Sequence, residues 1–278
     1  MYTVPVEIDL HTHTNCSDGE LAPLELLAHA AESGVSTISI TDHDTLDAYK
    51  VSGVGQVPGT RVVPGIELST HWRNITVHVV GLNFRLHDDA ITTAVTAQRR
   101  ARDERAVQIA EKLARLGIRD ALPRVRQIAG DGLVGRPHFA QFLVETGVVK
   151  SSAQAFKKFL GSGKSCDIKI GNAALNDVIG WVRDAGGTSV LAHPSKYGLT
   201  HTKLDKLVTH FRLAGGQALE VVSGLQRSEV TGALAALCSA HKLSASCGSD
   251  FHARGQKWAA LGRFPALPDC CMPVWESW

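Results

Sequence analysis

The sequence predicts an α/β fold: parallel strands joined by crossover helices, closed into a small or irregular barrel of about seven strands that carries a helical insert. Short β-like runs alternate with helical stretches, the pattern of a parallel sheet with helices packed on it. Several runs end in His, Asp or Glu, and polar side chains gathered at the carboxyl ends of parallel strands mark the active face of a barrel rather than an open sheet. Between roughly residues 88 and 185 the strand rhythm stops and the reading is helical.

The strand candidates in order are VEIDL (6–10), STISIT (36–41), RVVPGIE (61–67), ITVHVVG (75–81), TSVLAH (188–193), ALEVV (218–222) and LSASCGSD (243–250). Residues 1–87 and 186–278 are therefore expected to form the barrel, and 88–185 a mainly helical insertion capping the active site. In the insert's first helix Ile91, Val95, Ala106, Ile109, Leu113 and Leu116 recur at three- and four-residue steps as an apolar stripe. Gln98 and Arg102 fall on the same stripe, which leaves open whether Arg102 snorkels to solvent or turns inward toward an anion. Arg99, Arg100 and Arg105 read as a solvated face mixed with Asp103 and Glu104.

With 278 residues and 44% hydrophobic content the chain can bury a full core, and a formal net charge of +2 is too mild to demand a nucleic acid or membrane surface. The opening MYTVPVEIDLHTHT has no basic, apolar leader, and no apolar run approaches a membrane span. The six cysteines lack metal-type spacing and two are adjacent, as suits reduced thiols, so the expected location is the cytoplasm. No feature predicts a protein partner.

The chemistry lies in nine residues. His11 and His13 follow the first strand and, being two apart in extended chain, point the same way; Asp250 and His252 do the same after the last strand. Between them come Asp18 in an SDG turn, His43 within TDHD, Glu67 closing GIE, His78 inside ITVHVVG and His193 in AHP. A lone strand histidine is usually a hydrogen-bonded core residue, but nine such groups at strand ends point to metal. Because a Zn, Mn or Fe site takes about four to six ligands, nine are too many for one ion, and a bridging Glu67 would let them serve two or three. The imidazole and carboxylate mixture favours Mn, Fe or Zn over Mg or Ca. Such a centre supplies hydroxide from a metal-held water and neutralises phosphate oxygens, so phosphoester hydrolysis is the expected reaction, with no catalytic side chain needed beyond that water.

These motifs resemble the PHP (polymerase and histidinol phosphatase) family: HTHTNCSDG at 11–19, TDHD at 41–44, GIE at 65–67, His78, AHP at 192–194 and GSDFH at 248–252. The likeness is strongest to the branch of nucleotide phosphatases and exoribonucleases, through GRPHFAQFLVETG at 135–147, AFKKFL at 155–160, AHPSKY at 192–197 and GGQALEV at 215–221. It implies an irregular seven-stranded (β/α)7 barrel and three divalent ions, manganese first among them. His11, His13, Glu67 and Asp250 would hold one, Glu67, His78 and His193 a second, and Asp18, His43 and His252 a third. It implies as substrate a 3′,5′-bisphosphonucleotide, losing its 3′-phosphate, or short 5′-phosphorylated RNA.

Such substrates ask for cations outside the metal shell. Arg136 in GRPH is the first candidate for the distal phosphate, since a guanidinium can hold it with two parallel hydrogen bonds; Arg102, Lys164 and Lys196 follow. After the Gly163-Lys164 step, Ser165-Cys166-Asp167-Ile168 replaces the branch's aromatic and Val-Pro stretch, which bears on base preference. Three alternatives stay open: a histidinol phosphate phosphatase, a two-metal amidohydrolase that would leave Asp18, His43 and His252 unexplained, and a PHP-like module that binds metal or nucleic acid without turnover.

Overall fold

The computed structural model describes residues 7–161, 163–168 and 173–278. Seven strands of the described residues form one sheet in the order β1 (Ile8–Thr12), β2 (Thr37–Ile40), β3 (Arg61–Trp72), β4 (Ile75–Leu82), β5 (Thr188–Leu191), β6 (Ala218–Ser223) and β7 (Ser244–Gly248). The sheet curls until β1 meets β7. There Asp250 N–H donates to His11 O at 2.8 Å, His13 N–H donates to Phe251 O at 2.9 Å, and the fully buried Asp9 carboxylate accepts the Ser249 N–H at 2.8 Å. Closure needs Gly248, because a Cβ there would fall on the Cβ and backbone nitrogen of His11.

One strand departs from the all-parallel expectation. β4 runs antiparallel to both β3 and β5, while the other pairings are parallel. Only Arg73 and Asn74 separate β3 from β4, and a parallel connection needs a crossover of a dozen or more residues, so the chain must fold back as a hairpin. β3 is also longer than the sequence suggests, continuing through Leu68–Trp72, where Ser69 sits opposite His78. His78 thus reaches the barrel mouth from within a reversed strand rather than from a strand end.

The helices are α1 (Pro23–Glu32), α2 (Asp89–Arg115), α3 (Ala121–Ala129), α4 (Arg136–Glu145), the single-turn α5 (Ser152–Ala155), α6 (Leu175–Asp184), α7 (His201–Leu213) and α8 (Ser228–Ala240). α2 starts where the Asp88 carboxylate accepts the Ala90 N–H and ends with Lys112 and Arg115 in its last turn, a charge order that suits the helix dipole. Its buried face is Ile91, Ala94, Gln98, Ala101, Arg102, Arg105, Ala106, Ile109 and Leu113; Leu116, expected on the stripe, is half-exposed because the helix has already ended. The lower half of this face joins α3, α4 and α5 in a core of its own, with Ile109, Leu113, Val125, Phe139, Phe142 and Leu143 at its centre. α6 is different in kind: Val178, Ile179 and Val182 pack into the main barrel core with Ile66, Val79 and Leu191. Among the described residues no helix is long and apolar enough to cross a membrane.

Candidate metal centre

All nine ligand candidates converge at one mouth of the barrel. Glu67 is at the middle, fully buried: Oε1 lies 2.8 Å from His78 Nδ1 and 2.9 Å from His193 Nε2, and Oε2 lies 2.9 Å from His43 Nδ1 and 3.4 Å from both His11 Nε2 and His13 Nε2. Asp250 Oδ1 approaches the same two histidines at 3.5 and 3.3 Å. Asp18 closes the far side, 3.4 Å from His252 Nε2 and 3.9 Å from His43 Nε2.

Four subsets have ligand atoms within 4.8 Å of one another: His13, Asp18, His43 and His252; His11, His13 and Asp250; His11, Glu67 and His193; and His43, Glu67 and His78. The residues also fit metal by what they leave unmet. His11 Nε2, both nitrogens of His13, His43 Nδ1, Glu67 Oε2 and His193 Nδ1 are buried without a hydrogen-bond partner among the described residues. A buried polar atom left this way costs about 1–3 kcal/mol, so such a convergence persists only where a ligand satisfies it.

The electrostatics agree. Burial pushes the Glu67, Asp18 and Asp250 carboxyls up, but facing histidines outweigh it and hold all three well below the usual carboxylate range. Burial works against a charge on His252 and His11; Asp18 nonetheless lifts His252 to about 10, and Glu220, Glu67 and Asp250 lift His11 well above 6.5. Burial, with His252 as neighbour, holds His13 down at about 3, and burial holds His78 near 4. The pocket thus keeps its carboxylates ionised and attracts positive charge, which protons carry on some histidines and divalent ions can replace.

A surrounding layer of carboxylates fixes this arrangement, and the sequence reading assigned it no role. Glu220, buried in β6, takes His11 Nδ1 at 2.8 Å on one oxygen and the His193 N–H at 2.5 Å on the other, so one carboxylate orients two ligands. Asp42 accepts the Thr14 N–H at 2.7 Å and the Ser17 hydroxyl at 2.6 Å, holding the turn that carries Asp18. Asp44, Asp250 and His193 have φ of +57°, +57° and +28°, uncommon for non-glycine residues. The available signal was a charged residue inside an otherwise apolar run, as in ALEVV, which is rarely buried without a partner.

The candidate cations separate. Arg102 turns inward, 8% exposed, with Nε donating to Asp44 Oδ2 at 2.6 Å. Arg99 pairs with Asp47 and Arg100 with Glu104 on the solvated face, but Arg105 does not join them: it is 9% exposed. The helical step explains this correction, since residue 105 follows Arg102 by three and returns to the buried stripe. Arg102, Arg105 and Arg136 line a cavity of about 180 Å³ together with Asp18, His43 and His78. Neither Arg105 nor Arg136 has a hydrogen-bonded partner among the described residues, and burial, then Arg102 and Arg136, lowers Arg105 to about 9. Lys196 is drawn to Asp250 at 2.6 Å, beside the cluster. Lys164 is exposed and lines neither this cavity nor the larger cleft adjoining it, because the turn after Gly161 carries it outward.

Comparison with known proteins agrees with this geometry. The PHP domain matches residues 9–120. The chain is 40% identical over 275 residues to the 5′-3′ exoribonuclease Rnm of Escherichia coli, covering 97% of this chain and 93% of that one. It is 36% identical over 272 residues to a 3′,5′-nucleoside bisphosphate phosphatase of Chromobacterium violaceum, covering 97% and 95%. A solved structure from Chromobacterium violaceum, described as an amidohydrolase with bound sulfate and no metal, superposes with a TM-score of 0.90 at 34% identity, over 98% of this chain and 95% of that one. The chain belongs to the PHP family of metal-dependent phosphoester hydrolases.

Proposed function

We propose that this chain cleaves the O3′–P bond of nucleotides that also carry a 5′-phosphate: 3′,5′-bisphosphonucleotides such as adenosine 3′,5′-bisphosphate, and the first linkage of short 5′-phosphorylated RNA. The observation that carries this reading is the arginine cavity. A buried Arg105 and a half-buried Arg136, neither hydrogen-bonded to a carboxylate among the described residues and walled by three of the ligand candidates, suit a second phosphate held a nucleoside's length from the reacting one. The relatives' names, one a bisphosphate phosphatase and one an exoribonuclease, support the same substrates.

The two reactions are one in chemical terms. Each breaks the same bond at the same remove from the 5′-phosphate, and only the group on the scissile phosphorus differs: nothing, or the next nucleotide. An open cleft of about 820 Å³ shares Asp18 and Pro137 with the arginine cavity and can accept that next nucleotide.

We assign three divalent ions, manganese preferred, to His11, His13, Glu67 and Asp250; to Glu67, His78 and His193; and to Asp18, His43 and His252. For the first and third, His11, His13 and Asp250, and Asp18, His43 and His252, each fall within one group whose atoms lie within 4.8 Å of one another; for the second, Glu67 Oε1 lies 2.8 Å from His78 Nδ1 and 2.9 Å from His193 Nε2. When bound, the ions supply an activated water and positive charge against the phosphoryl oxygens. The chain's own part is to hold those ligands ionised or neutral as required, to orient His11 and His193 through Glu220, and to clamp the distal phosphate with Arg105 and Arg136. Of the expected insertion, residues 88–185, the part before α6 acts as a cap whose α2 and α4 bring these arginines over the barrel mouth. Six free thiols support a cytoplasmic location.

The test is a manganese-supplemented assay of adenosine 3′,5′-bisphosphate, a 5′-phosphorylated oligoribonucleotide, the same oligomer with a 5′-hydroxyl, and histidinol phosphate. The first two should be turned over best. Preference for histidinol phosphate, or indifference to the 5′-phosphate, would sink the proposal.

A further inference from the structure

His138 belongs to none of the ligand groups, yet it stands over them. It is the third residue of α4, half-buried, and lines the open cleft beside Asp18 and His252. Its Nδ1 accepts the backbone N–H of Gly135 at 2.9 Å, the bond that caps the helix. A nitrogen that accepts that N–H carries no proton of its own, so a neutral ring must carry its proton on Nε2. Nε2 has no protein acceptor among the described residues.

We propose that His138 is an uncharged hydrogen-bond donor to substrate, its tautomer set by the Gly135 backbone, presenting Nε2–H to a phosphoryl oxygen at the Asp18–His252 end of the metal centre. The inference rests on the phosphoesterase reading above. It makes His138 a catalytic residue that stabilises charge without giving up a proton: Nε2–H of a neutral ring is far too weak an acid to be transferred, and protonating Nδ1 would break the helix cap. The surroundings favour the neutral ring, since burial lowers its basicity and Arg102 adds to that, against the opposing pull of Asp18. The N-terminal end of α4 also disfavours a cation.

Replacement at this position removes the donor and the cap together or restores both. Glutamine at the third helical position can accept the Gly135 N–H through its carbonyl and still donate through its amide, whereas leucine can do neither. On adenosine 3′,5′-bisphosphate, His138→Leu should lower kcat by about 10²-fold, the loss typical of one preorganised donor, with a much smaller change in KM. His138→Gln should recover about tenfold of that, and its kcat/KM should keep the wild-type alkaline limb. An alkaline limb lost in His138→Gln would mean a protonated His138 acting as an acid. Equal kcat for the two variants, both folded by circular dichroism, would mean that neither the Nε2–H nor the cap serves the reaction; either result overturns the proposal.

A second readout needs no turnover. In zinc-loaded, ¹⁵N-labelled protein, the His138 Nδ1 resonance should be that of an unprotonated nitrogen at neutral pH, and the Nε2–H should move downfield as inorganic phosphate is added. A protonated Nδ1, or an Nε2–H blind to phosphate, would refute it. Failure of the wild type to hydrolyse the bisphosphonucleotide counts against the substrate reading instead, and these spectra still decide the donor.

Discussion

The histidine cluster and the arginine cavity share Asp18, His43 and His78 as a common wall, yet they are built on opposite principles. In the cluster charge is matched: Glu67 alone faces five histidines, and Asp18 and Asp250 serve the rest. In the cavity it is not matched. Arg102 has Asp44, but Arg105 is buried beside two other guanidiniums with no hydrogen-bonded carboxylate among the described residues. One region is set to receive cations and the other an anion, and a nucleotide with two phosphates satisfies both at once. That is why neither half alone specifies the substrate.

The cluster's hub should be the least replaceable part. Glu67→Gln keeps the shape but removes the charge that all five histidines face. Activity should fall by more than the roughly 10²–10³-fold that follows loss of a single transition-state donor, because ligand and ion go together. Elemental analysis should find at least one ion fewer per chain. A folded Glu67→Gln protein with full metal content would break the idea of a shared bridge.

The two regions also differed in how far the sequence disclosed them. His11 with His13, and Asp250 with His252, are visible because a two-residue step on a strand puts both side chains on one face. Glu220 and Asp44 were hidden, since what they do depends on partners 209 and 58 residues away, His11 and Arg102. The reversal of β4 was hidden too: Leu68–Trp72 does not announce itself as strand, so the hairpin at Arg73 and Asn74 looked like a longer connection. Arg105 was legible in principle from its three-residue step after Arg102. Its neighbours Asp103 and Glu104 drew the reading toward a solvated face, and only the packing of α2 over the barrel decides otherwise.

Protons and metal ions compete for the cluster, and the direction follows from the raised groups. His252, lifted to about 10, and His11, lifted well above 6.5, are protonated at pH 7 in the metal-free protein, so binding must displace those protons. Affinity should therefore rise with pH through the range 6–9 and fall as pH drops, by about tenfold per pH unit for each proton displaced. Calorimetry in buffers of different ionisation enthalpy counts the protons. Zero release would show that these histidines are neutral before metal arrives.

Glu220→Gln probes the cluster one layer out. The amide still fills the space in β6, but it weakens the hold on His11 Nδ1 and loses the charge that makes His11 a better ligand. Metal affinity should drop by about 10–100-fold, with the barrel intact. An unchanged affinity would demote Glu220 to a packing residue.

Arg105→Met sharpens the contrast most directly, because the two regions predict opposite signs for one substitution. As a clamp on the distal phosphate, Arg105 should be missed by substrate: kcat/KM for adenosine 3′,5′-bisphosphate should fall by about tenfold or somewhat more, the worth of a hydrogen bond to a charged group. The 5′-hydroxyl oligomer, which has nothing to place there, should be indifferent. As a buried cation without a hydrogen-bonded partner among the described residues, however, Arg105 destabilises the fold, and an apolar side chain of similar length should raise stability by about 1 kcal/mol or more. For a chain of this size that reads as roughly 2–4 °C in Tm. A variant that lost stability and activity together would mean that Arg105 is held by a carboxylate after all, and the cavity would then be a structural ion pair rather than a binding site.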